Sequence, residues 1–115
     1  MTHPLLAKLS DIVTESHTRI QLEFEHINPI VGINQGMRGV GIPADAMTID
    51  CLKTNKRIII ILHDEQPTDI QYQFSYRNKD PDDKFKSINF NELSSTKLYE
   101  WIKIYFSSET PTDDL

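Results

Sequence analysis

The chain has 115 residues and a mass of 13.3 kDa, one domain's worth. Hydrophobic residues make up 38% and charged residues 25%, which excludes a disordered chain. Twelve basic residues against 17 acidic ones leave a net charge of −5, without the electrostatic footprint of a general nucleic-acid binder.

The only cysteine, Cys51, allows no internal disulfide framework. The longest apolar run, Ile58 to Leu62, is too short to cross a bilayer, which argues against a membrane partner. Met1-Thr2-His3-Pro4 carries no basic or apolar signal region, so the expected location is cytoplasmic.

All four glycines, Gly32, Gly36, Gly39 and Gly41, fall within ten residues. They divide the chain into an N-terminal segment (1–28), a glycine-rich connector (29–45) and a C-terminal segment (46–107). Residues 1–107 are read as one domain, and 108–115 as a polar, disordered tail.

Leu5, Leu9, Ile12, Val13, Ser16, Ile20, Phe24 and Ile27 recur at three- and four-residue spacing, the stripe of an amphipathic helix. Pro4 suits its first turn, and Pro29 ends it by restricting Asn28. Residues 19–25 also alternate like a strand, but no turn residue separates Ser16 from Arg19, and Glu and Gln favour the helix. The expectation is therefore one helix reaching Asn28.

Ala46 to Lys53 alternates, with Met47, Ile49 and Cys51 on one face. Thr54-Asn55-Lys56 is a turn, and Arg57 to His63 is a β-branched run too short for a helix. After Glu65-Gln66-Pro67-Thr68, Asp69 to Tyr76 sets Ile70, Tyr72, Phe74 and Tyr76 on one face. Asn78 to Asp83 forms a turn cluster, and Phe85 to Phe90 a fourth, weaker strand.

Short connections make these an antiparallel meander. Leu98, Trp101, Ile102, Tyr105 and Phe106 mark a final helix over 95–107, with Ser94 or Ser95 as its N-cap. The expected fold is α+β: a two-layer sandwich of a long N-terminal helix, the connector, a four-stranded meander and a C-terminal helix. Ile59 and Ile61 make both faces of the second strand apolar, so the second face is expected to be covered by the connector or by another copy of the chain.

The connector is the candidate ligand site. Gly36, Gly39 and Gly41 can present bare backbone N–H groups, and Arg38 can clamp a phosphate or carboxylate. The established phosphate motifs fail: no Gly-Lys-Ser/Thr is present, and Gly39-Val40-Gly41-Ile42-Pro43-Ala44 precedes a strand where a dinucleotide loop opens a helix.

His63 at a strand end is a weak polar-pair candidate with Asp50. A hairpin turning at Asn55-Lys56 sets Thr48 opposite His63 and Asp50 diagonal to it. Ser75 lies on the next strand, but its face relative to His63 depends on a register the sequence does not fix, so no catalytic residue is assigned. Asn78 to Asp83 resembles half a calcium loop but has Asp83 where glycine is needed and Asn89 where a bidentate glutamate is needed; no metal or other cofactor is expected. Tyr72, Phe74 and Tyr76 are assigned to the core instead of a base-stacking platform.

The functional expectation is a non-catalytic interaction or regulatory protein. It acts as a homodimer or on another protein. The alternative is a small-anion binder or small enzyme using the connector and Arg38.

Overall fold

The computed structural model describes residues 4–24, 27–65, 68–78 and 84–107. His3, His26, the tail 108–115 and most of the turn cluster at 78–83 lie outside the described residues. In chain order the elements are α1 (Pro4–Glu23), β1 (Ile30–Asn34), α2 (Gly36–Gly39), β2 (Ala44–Cys51), β3 (Lys56–His63), β4 (Asp69–Tyr76), β5 (Lys86–Asn89), a 3₁₀ turn (Phe90–Glu92) and α3 (Ser95–Ser107).

The class is α+β, with an antiparallel sheet in the order β1-β2-β3-β4-β5. The sheet has five strands where the sequence predicts four. The added strand, β1, comes from the connector. Its β-branched residues Ile30, Val31 and Ile33 favour extended backbone. A Cβ at Gly32 would stand 3.1 Å from Thr48 Oγ1, so the bare glycine lets β1 lie close against β2.

The first helix is real but stops at Glu23, short of Asn28. Ile27 beyond it is buried in the core, as the stripe expects, without being helical. His17 Nε2 meets the Pro29 carbonyl at 2.8 Å and holds the returning chain against the helix.

Leu6, Leu9, Val13 and Ile20 of α1 join one core cluster with Met47, Ile49 and Cys51 of β2, Ile58, Ile60 and Leu62 of β3, and Ile70 and Tyr72 of β4. The predicted face alternation therefore holds on every central strand. α3 contributes Leu98, Trp101, Ile102, Tyr105 and Phe106. Trp101 stacks on Tyr72 at 4.5 Å and meets Phe74 edge-on at 5.6 Å.

Ser94 caps α3 by accepting the Lys97 N–H at 3.0 Å. Ser16, buried on α1, donates to the carbonyl of Ser95 at 2.8 Å and so ties the two helices. α3 has no basic residue in its last turn. Lys56 of β3, buried, supplies the charge by donating its Nζ to the Tyr105 carbonyl at 2.8 Å.

Ile59 lies outside that core cluster, on the sheet's other face, between Thr48 and Gln73 in register. Ile59 is nonetheless buried. The connector extends the sheet sideways as β1.

Candidate functional site

Arg38 sits in the single turn of α2, whose neighbours bend the chain back toward β2; Gly41 enables this with a φ of 88°. The guanidinium meets Asp45 through Nε at 2.6 Å and Nη2 at 3.0 Å. It meets Asp64 through Nη1 at 2.8 Å and Nη2 at 2.6 Å. Four of its N–H groups, of the five a guanidinium has, are thus engaged.

Asp45 is buried, and Arg38 holds its carboxyl below the usual carboxylate range, against the opposing effect of burial. The glycines have also found internal partners. The Gly36 N–H goes to Asn34 Oδ1 at 2.7 Å and the Gly41 N–H to the Arg38 carbonyl at 3.2 Å. Gly39 borders open space.

His63 and Asp50 do not meet. The β2–β3 turn occupies Leu52 to Asn55, with Asn55 in the left-handed region at φ 62°, so Cys51 faces Lys56 and Ala44 faces His63. Asp50 instead faces Arg57, six residues along β3, about 20 Å from His63 at the usual strand rise. Arg57 grips Asp50 at 2.7 and 2.9 Å, and Arg77 stands 3.4 Å from it. His63 Nε2 pairs with Gln71 Oε1 at 3.1 Å. Among the described residues no group of three or more His, Cys, Asp or Glu side chains is placed to hold a metal.

The feature that sequence patterning misses is a surface. Of the eight large apolar residues exposed among the described ones, five belong to the connector: Ile30, Val31, Ile33, Val40 and Ile42. Ile33 is 54% exposed and Val40 76%. Residues 27–37 contain no charged side chain, the longest such stretch in the sequence.

This surface begins at the free edge of β1 and continues into a groove between β1 and α1. The groove holds about 340 Å³ and is lined by Val13, Val31, Ile33 and Met47, with Ser10, Thr14, His17 and Thr18 beside them. The charge-free stretch was the signal available in the sequence. The glycine cluster within it points instead to an irregular loop.

No known family model, curated protein or solved structure matches this chain. The functional assignment accordingly rests on the geometry.

Proposed function

We propose that this protein is a non-catalytic interaction protein that acts as a homodimer, its α+β sandwich presenting the connector as the working surface. The observation that carries this is the exposure of Ile30, Val31 and Ile33 on an uncharged sheet edge, with Val40 and Ile42 exposed further along the same connector. Exposed apolar residues gathered in one segment mark association sites, and a free edge strand is itself a template for pairing.

The engagement of Arg38 with Asp45 and Asp64 supports a structural pin more than an anion clamp, because an incoming anion would have to displace a carboxylate. Among the described residues no helix is long and apolar enough to cross a membrane. A reducing compartment such as the cytoplasm suits the single buried thiol, Cys51.

Size-exclusion chromatography with light scattering at tens of micromolar tests the assignment. The expected mass is twice the 13.3 kDa of one chain. A monomer at that concentration overturns it.

A further inference from the structure

We infer that two copies of the chain join edge to edge, β1 against β1 in antiparallel register about a two-fold axis through Gly32, so that both sheets become one. This rests on the homodimer reading and specifies its interface.

The register follows from the ladder. The Asp64 N–H bonds the Pro43 carbonyl at 2.9 Å, which makes Pro43 and Asp64 a hydrogen-bonded pair. Alternation along β2 then turns the backbone groups of residues 45, 47, 49 and 51 toward β3, and those of 44, 46, 48 and 50 toward β1. Through the β1–β2 register, Ile30, Gly32 and Asn34 bond inward, while the N–H and C=O of Val31 and Ile33 point outward at the free edge.

Residues facing each other across antiparallel strands share a sheet face, so a two-fold must pass through a residue. Centred on Gly32, Val31 pairs with the partner's Ile33 and Ile33 with the partner's Val31. All the outward groups of both strands are then satisfied. Centred on Val31, Ile33 would face the partner's Pro29, which has no N–H. Centred on Ile33, Ile30 is left without a strand partner.

Charge at this edge permits a second copy and disfavours a basic partner. The chain carries −5, so like copies repel except where they meet on uncharged surface, and residues 27–37 are uncharged. A basic partner would be drawn to acidic surface, which this edge lacks.

The flanking helix agrees. Thr14 and Thr18, exposed beside the groove, donate their hydroxyls to the carbonyls of Ser10 and Thr14 at 2.8 and 3.0 Å, and so need no partner from outside. A second β1 laid along the first brings its Val31 and Ile33 to the open side of the groove. Such an isologous contact uses up both free β1 edges, and assembly stops at two.

Two single variants, Ile30→Cys and Asn34→Cys, test the register. Ile30 faces the partner's Asn34 in a non-hydrogen-bonded pair, where Cα atoms lie about 4.5 Å apart, inside the range a disulfide spans. Mixed, equilibrated and mildly oxidised, the two variants should cross-link to each other, and neither should cross-link alone. The native Cys51 is buried and does not compete.

Amide exchange on the unaltered protein is the second measurement. The Val31 and Ile33 amides should be protected at concentrations where the protein is a dimer and should exchange freely on dilution. A dimer by light scattering that lacks both the cross-link and this protection overturns the edge-to-edge register and leaves the homodimer standing. A monomer at every concentration overturns both.

Discussion

The two ends of the sheet are built differently. At the α3 end the core is sealed by aromatic rings, with Tyr72, Phe74, Trp101 and Tyr105 in mutual contact. The edge strand there, β5, is four residues long, carries Lys86, and ends in a 3₁₀ turn. Short charged edges of that kind resist pairing with another chain. At the α1 end the edge strand has no charge, both its faces carry β-branched apolar residues, and a groove lies open beneath it. One fold thus carries a short, charged edge at one end and an uncharged, apolar edge at the other. The difference singles out β1 as the edge suited to pairing with another chain, in line with the proposed dimer.

Trp101→Ala is expected to break the sealed end most severely. It is 5% exposed, stacked on Tyr72 and edge-on to Phe74, so truncation leaves a cavity and about 3–5 kcal/mol should be lost. Val31→Ala at the open end should alter monomer stability by no more than about 0.5 kcal/mol. Denaturant titration of both variants checks the contrast; equal losses would remove it.

Ile33→Lys sharpens the comparison of edges. A charge facing the partner without a counter-ion should weaken association by about 3 kcal/mol, roughly two powers of ten in Kd. Ser87→Lys on β5 should leave the dimer intact. Analytical ultracentrifugation of the two variants separates the edges, and a dimer that survives Ile33→Lys would show that β1 is not the contact.

The smallest effect concerns the pin that holds the connector. Asp45 has its carboxyl below the unfolded value of about 3.9, first because Arg38 hydrogen-bonds it. The stabilisation is therefore fully present above that pH and is lost as pH falls from it through the lower folded value. Thermal melts between pH 7 and pH 3 should show this loss in the parent. Arg38→Ala should be less stable at pH 7 and should lose less on acidification. A parallel drop in the two proteins would remove the pin.

How much of this was legible in the sequence depends on the range of the interactions. The stripe of α3 and the alternation of β2 and β4 are local patterns, and they emerge as drawn. β1 was hidden because Gly32 reads as a loop residue, while the reason for it, the close approach to Thr48, lies sixteen positions away. The partners of Arg38 are 7 and 26 residues distant, beyond any spacing rule. The separation of His63 from Asp50 turned on one backbone choice, the left-handed Asn55, which shifts the hairpin by two residues from a turn centred on Asn55-Lys56. The helix end at Glu23 was not legible, because the stripe runs on through Phe24 and Ile27, and Ile27 is buried whether or not the helix continues to it.

Lys56 has a consequence for how the molecule opens. A helix terminus usually frays by itself, since its last carbonyls bond only to water. In α3 the Tyr105 carbonyl is held by a lysine from the central strand, and the Tyr105 hydroxyl donates to the Ser75 carbonyl of β4 at 2.6 Å. The final turn therefore cannot unwind without breaking bonds to two strands. The last turn of the C-terminal helix is thereby expected to open together with the middle of the sheet and not ahead of it.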